Sequence, residues 1–171
     1  AREPGCAGVA VLPGSHAKWA ELGTGRVRRF RTFLTGELFA ALAGHTVLRH
    51  GLAAEGWDAA AFAEGAAEAL RAPLSVPARL FALRAGGLLG AAEPVAARSR
   101  LSGLLIGQEI AAADDFAGPV MLIGASALCD AYAAALGLAG RAVTRVDGEA
   151  AALDGLRRAH ARLFGDAPCA R

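Results

Sequence analysis

The chain has 171 residues, of which 54% are apolar, 20% charged and 6% aromatic. That is enough length and apolar content for one domain with a real core, and it excludes disorder over most of the chain. The formal charge is only +2, and the longest basic stretch, Arg26 to Arg31, alternates with apolar positions as a strand does. An extended nucleic-acid footprint is therefore not expected.

Three cysteines (Cys6, Cys129 and Cys169) stand far apart with no Cys-x-x-Cys. The pattern points to a reducing compartment rather than a disulfide framework or a structural zinc site. His45 and His50 lie on different helix faces, so no helical metal pair is expected and no residue is assigned to a metal. No run approaches the roughly 18 apolar residues of a membrane span, and no charged-then-apolar leader opens the chain. The expectation is a soluble, cytoplasmic protein without membrane or nucleic-acid partners. The start at Ala1-Arg2, without an initiator methionine and almost directly into a strand, suggests an excised piece.

In chain order, Val9 to Leu12 reads as a short buried strand stopped by Pro13-Gly14. A second strand runs from Ala17 to Leu22 and turns at Gly23-Thr24-Gly25; the third, Arg26 to Phe33, sets Val27, Arg29 and Arg31 against Arg28, Phe30 and Thr32. Three strands with tight turns predict an antiparallel meander. Thr35 is expected to cap a helix from about Gly36 to Ala43. Helices follow from Asp58 to Arg71, from Ala78 to Leu89 and from Pro94 onward, the last with a stripe of Leu101, Leu104, Leu105 and Ile110. The rhythm then changes. Val120 to Ile123 forms a strand bounded by Gly124, and a helix carries Leu128, Tyr132 and Leu136 on one face. Ala142 to Val146 is a strand, and a final helix from Asp147-Gly148 aligns Leu153, Leu156, His160 and Leu163. Strand and helix alternating with short loops imply parallel crossovers. The whole order is that of an α/β, ribonuclease-H-like (actin-like ATPase) domain: a three-stranded meander, a helical insertion at about 58–113, then βαβα.

Four segments could carry chemistry. In Leu12-Pro13-Gly14-Ser15-His16-Ala17-Lys18-Trp19 a glycine turn lets backbone amides converge on an anion. Ser15 adds a hydroxyl, and His16 and Lys18 share one strand face. An ordinary hairpin with an exposed lysine is the plain alternative. Lys18 is the single lysine beside 17 arginines, and lysine is the compact point charge suited to phosphate. In the second segment, Thr32 to Phe39, a strand runs into a helix start able to hold an anion, with Glu37 placed to accept from a hydroxyl; simple capping is the alternative. In the third, Leu122 to Leu128, Gly124-Ala125-Ser126 forms a small-residue turn at a strand's carboxyl end, open to a nucleotide or merely a tight crossover. It is neither a G-x-G-x-x-G nor a P-loop. In the fourth, Leu101 to Glu109, Gly103 and Gly107 share a helix face and predict close packing, with Gln108 and Glu109 facing solvent. A weak lead remains for a hydrolase built on Ser15 and His16.

The first segment resembles the LPGTHSKW of 2-dehydro-3-deoxygalactonokinases, and Phe30 to Phe39 resembles their F-x-T-F-M-T-G-E-L-F. The third and fourth segments fall in the expected order, and Asp147-Gly148-Glu149-Ala150-Ala151 resembles the usual entry to the final helix. Ser15 stands for threonine, Ala17 for serine and Leu34 for methionine. The resemblance implies an actin-like sugar-kinase fold with 1–171 as the single C-terminal lobe of two, the N-terminal lobe absent together with its Asp-x-Gly-[TS] segment and general base. It implies phosphorylation of 2-dehydro-3-deoxy-D-galactonate on its C6 hydroxyl with ATP and Mg2+. Gly14, Ser15, His16 and Lys18 would face the phosphate, Thr35, Gly36 and Glu37 the sugar acid, and Gly124, Ala125 and Ser126 the nucleotide. The fragment alone would be inactive; its uncovered face leaves a homo-oligomer open. The alternative is a non-catalytic module binding a nucleotide or a partner.

Overall fold

The computed structural model describes residues 7–165; Cys6 and Cys169 lie outside them. Five strands form one sheet: β1 (Gly8–Leu12), β2 (Ala17–Gly23), β3 (Arg26–Phe33), β4 (Val120–Gly124) and β5 (Val143–Asp147), in the order β3-β2-β1-β4-β5. The pairs β1/β2 and β2/β3 are antiparallel, whereas β1/β4 and β4/β5 are parallel. The meander closes as expected. Gly25 at φ +70 occupies the left-handed position of the two-residue Thr24-Gly25 loop, a conformation costly for residues with a Cβ.

Among the described residues six α-helices complete the fold, α1 (Thr35–His45), α2 (Ala59–Arg71), α3 (Val76–Leu88), α4 (Pro94–Ala112), α5 (Ser126–Leu138) and α6 (Gly148–Phe164), with short 3-10 helices at Val47–His50 and Pro73–Ser75. Asp58 caps α2, its carboxylate accepting from the Ala61 amide at 3.0 Å. Helix α3 begins at Val76, two residues earlier than expected, because Pro77 fits a first turn where no backbone N–H is needed. Thr35 does not cap α1. Leu34 holds the cap position without a side-chain hydrogen bond, and Thr35 is the first helical residue.

One face of the sheet builds the core. Val9, Val11, Ala17, Trp19, Val120 and Leu122 pack against Phe62, Ala66, Ile106, Ile110, Tyr132 and Leu136 from α2, α4 and α5. Helices α2 and α4 touch backbone to backbone. A Cβ on Gly103 would fall 2.8 Å from the Ala66 amide, and one on Gly107 would fall 3.0 Å from the Ala66 Cα, so the close packing predicted for these glycines is present. Two arginines of β3 are engaged rather than free: Arg29 bonds to Glu21 and Asp115, Arg31 bonds to Asp115, and both stack over Phe116. The pair of guanidiniums holds the Asp115 carboxyl below the usual range. Helix α6 departs from its sequence pattern in one respect. It touches β4 and β5 but buries no residue, and Leu153, Leu156, Leu163 and Phe164 stay exposed. Among the described residues no helix is long and apolar enough to cross a membrane.

Candidate functional site

The strand directions gather the predicted segments at one edge. Strands β1, β3, β4 and β5 all run the same way, so their carboxyl ends, the β1–β2 turn and the first turns of α1, α5 and α6 share that edge. In open α/β sheets this is where ligands collect. Three helix N-termini there add about half a positive charge each.

The turn at Gly14-Ser15 and the start of α1 are in contact. The Glu37 amide donates to the Ser15 carbonyl at 3.0 Å, and a Cβ on Gly36 would meet Ser15 Cα at 2.8 Å and the Gly14 carbonyl carbon at 2.9 Å, with the Gly14 oxygen nearer still. Only glycine permits that approach. His16 Nε2 donates to Glu37 Oε2 at 2.5 Å across the same junction. Both side chains are exposed, so the pair orders the rim more than it stabilises the fold. Lys18 leaves β2 on the face opposite the buried Ala17 and Trp19, and its amine curls back to donate to the His16 carbonyl at 3.1 Å.

The third segment joins this edge from the other side. Gly124 pairs with Asp147. A Cβ on Gly148 would sit 3.0 Å from Gly124 Cα, and one on Gly124 would sit 3.6 Å from the Pro13 carbonyl. Asp147 then caps α6, accepting from the Ala150 amide at 2.7 Å. Ala125 and Ser126 are exposed at the mouth of α5. All ten predicted residues thus lie along one edge, but they do not line one cavity. A cavity of about 140 Å³ is walled by Gly14, Thr35, Gly36, Phe39, Ser102, Leu105, Ile106, Leu128 and Tyr132; Ser15, His16, Lys18, Glu37 and Gly124 to Ser126 stand outside it. A wider cavity of about 520 Å³ lies at the opposite end of β4, by Gly118 and Arg141, and none of the ten reaches it.

Glu109 was expected in solvent and is instead 3% exposed. Its Oε1 accepts from Trp19 Nε1 at 2.7 Å and its Oε2 from the Tyr132 hydroxyl at 2.8 Å. Burial pushes its pKa up, while hydrogen bonds from Thr35, Trp19 and Tyr132 pull it back. Burial and the adjacent carboxylate push the Tyr132 phenol far up, so it stays protonated. Gln108 is also anchored, donating to the Pro73 carbonyl at 2.9 Å. The signal for Glu109 was available: its neighbours one turn away, Leu105, Ile106, Ala112 and Ala113, are all apolar, and three of them, Leu105, Ile106 and Ala113, are buried, so a wet residue there breaks the helical period.

A mixed five-stranded sheet whose glycine turns and helix starts share one edge defines an α/β domain, and the chain belongs to the 2-keto-3-deoxy-galactonokinase family, whose model matches residues 1–159. Two curated relatives agree. A Rhizobium meliloti (strain 1021) protein named probable 2-dehydro-3-deoxygalactonokinase is 40% identical over 157 residues, covering 88% of this chain and 51% of the relative. The 2-dehydro-3-deoxygalactonokinase of Escherichia coli (strain K12) is 36% identical over 155 residues, covering 88% of this chain and 53% of that protein. A crystal structure from Sinorhizobium meliloti carrying the same family description superposes with a TM-score of 0.91 at 37% identity, over 96% of this chain and 55% of the other. The chain therefore spans about half the length of the relatives it matches.

Proposed function

We propose that this chain is the C-terminal, nucleotide-binding lobe of an ATP-dependent kinase that phosphorylates 2-dehydro-3-deoxy-D-galactonate on its C6 hydroxyl, and that it is inactive alone. The observation that carries this reading is the single edge where the Gly14–Gly36 and Gly124–Gly148 approaches put bare backbone beside three helix starts. Side chains at those glycines would fill the space an anion or a nucleotide needs. The strand order β3-β2-β1-β4-β5 supports a ribonuclease-H-like core of the actin-like kind, with 58–113 as its helical insertion.

In this reading Gly14, Ser15, His16 and Lys18 face the transferred phosphate, offering amides, a hydroxyl and the Lys18 ammonium to growing charge. Thr35, Gly36 and Glu37 border the sugar acid, and His16 steadies Glu37. Gly124, Ala125 and Ser126 lie under the nucleotide. ATP with Mg2+ supplies the phosphoryl group and neutralises part of its charge. No carboxylate of this chain is assigned to the metal or to the general base; the other lobe holds the base. The compartment this reading assigns is the cytoplasm.

The test is phosphoryl transfer from ATP-Mg to 2-dehydro-3-deoxygalactonate, for this chain alone and for the chain restored to the relatives' full length. Activity only in the restored protein is expected, because one lobe cannot close over its substrate. Turnover by the isolated chain would refute the half-enzyme reading. An inactive restored protein would make the chain a binding module.

A further inference from the structure

The wider cavity, of about 520 Å³, has no part in the reading above and lies at the opposite end of β4 from the candidate site. Cavities of that size hold small molecules. Its apolar wall is made by Leu70 from α2, Ile110 from α4 and Phe116, the last two only 3% and 1% exposed. Two charged side chains line it as well, Arg141 and Asp114, and they do not pair. One nitrogen of the Arg141 guanidinium, Nη2, donates to the Phe116 carbonyl at 2.5 Å and to the Gly118 carbonyl at 3.2 Å, and Cζ lies 5.3 Å from the Trp19 ring centroid. These contacts fix the group, while Nη1 and Nε take no partner among the described residues. The neighbouring Asp115 is committed to Arg29 and Arg31. Asp114 is exposed and makes no hydrogen bond or ion pair among the described residues. Burial pulls the Arg141 pKa down and the Asp114 charge opposes that pull, so each charge lies within the other's field without a bond between them.

The backbone adds to the same polarity. Helices α2, α4 and α5 end at Arg71, Ala112 and Leu138, next to the lining residues Leu70, Ala111 and Ala139, and helix carboxyl ends carry partial negative charge. A simple anion bound to Arg141 would meet that field and the Asp114 carboxylate. A simple cation drawn to Asp114 would meet the fixed guanidinium. A molecule bearing both charges satisfies both walls. We propose that this cavity binds a small zwitterion with an apolar body, of the α-amino acid class, its carboxylate accepting from the free Nη1 of Arg141, its ammonium toward Asp114 and its hydrocarbon against Leu70, Ile110 and Phe116. Charge-assisted hydrogen bonds of this kind are about twice as strong as neutral ones. The site stands apart from the kinase reading, since none of the residues assigned to phosphate, sugar acid or nucleotide reaches it.

The test is calorimetric titration of the protein restored to full length with three probes. Leucine carries both charges; isocaproate is leucine without the ammonium, and isoamylamine is leucine without the carboxylate. Leucine should bind saturably, and each single-charge probe should bind at least about tenfold more weakly, the scale of one lost hydrogen bond between charged groups. Asp114→Asn should weaken leucine about tenfold while leaving isocaproate within about twofold of its wild-type affinity, so that the two probes converge. Arg141→Gln should weaken leucine and isocaproate together and leave isoamylamine no weaker. Absence of saturable leucine binding would overturn the inference. So would isocaproate or isoamylamine binding as tightly as leucine, because the cavity would then select one charge and not two. Leucine affinity unchanged in Asp114→Asn would place the binding elsewhere and overturn it as well. Arg141 also ties down the Phe116 and Gly118 carbonyls; should Arg141→Gln fail to fold, Asp114→Asn decides alone, since that carboxylate is exposed and its urea midpoint should match wild type.

Discussion

Replacing Gly36 by alanine tests the junction on which the site depends. The added methyl would lie 2.8 Å from Ser15 Cα and 2.9 Å from the Gly14 carbonyl carbon, where relaxed carbon contacts run about 3.5–4.0 Å. About 0.7 Å must therefore be found between two stretches of backbone, with no flexible side chain to yield. Overpacking of this kind costs about 1–3 kcal/mol, while the gain in helix propensity returns less than about 1 kcal/mol. The net expectation is a loss of about 1–2 kcal/mol in urea unfolding. The effect on function should be larger. Displacing the turn strains the 3.0 Å bond from the Glu37 amide to the Ser15 carbonyl, and misplacement of about 1 Å at a reacting centre can cost about a hundredfold in rate. Gly155→Ala is the control, because nothing lies within 4 Å of a Cβ there and the exposed helix should gain about 0.8–1.0 kcal/mol. A Gly36→Ala protein as stable as Gly155→Ala, or one with unchanged turnover in the full-length enzyme, would refute the argument from close approach.

Gly103→Ala should cost about 2 kcal/mol or more, because its methyl meets the backbone of α2 at the Ala66 amide, 2.8 Å away, and at Phe62. A neutral urea midpoint would show that α2 and α4 sit further apart. Glu109 makes a pH prediction with a definite sign. Its folded pKa is raised above the ordinary 4.5, so the folded state holds the proton more tightly than the unfolded chain. Its contribution is therefore fully present below about pH 4.5 and is lost as pH rises toward the raised value. The stability of wild type relative to Glu109→Gln should fall over that range. A flat or rising difference in denaturant titrations would refute the sign.

What could be read from the residues, and what could not, follows from the range of the forces involved. The meander was legible because alternation and the Thr24-Gly25 turn are local, and the glycines of α4 because spacing alone puts Gly103 and Gly107 on one face. Thr35 was misjudged as a cap, since capping propensity does not fix the register of the helix start: Leu34 takes the cap position and Thr35 is already helical. Glu109 was misjudged because a charge beside Gln108 suggests solvent, whereas its indole and phenol partners arrive from β2 and α5. The apolar stripe of α6 was legible, but Leu156 and Leu163 stay largely exposed among the described residues. A periodic face records that a helix is built to pack, not against what. The candidate site itself was legible as four separate segments; only the parallel addition of β4 to β1 puts Gly124 near Pro13 and makes them one edge.

The lone lysine has a practical corollary. Lys18 is exposed at that edge and holds the only ε-amine in the sequence, the other 17 of its 18 lysine and arginine residues being arginines. Guanidiniums stay charged and resist acylation under conditions where an amine reacts. A reagent that captures ε-amines therefore has one side-chain address in the molecule, beside the Gly14-Ser15 turn. Protection of that address by an added anion would report occupancy of the edge directly, as one mass increment gained or withheld, in a chain with no second lysine to confuse the reading.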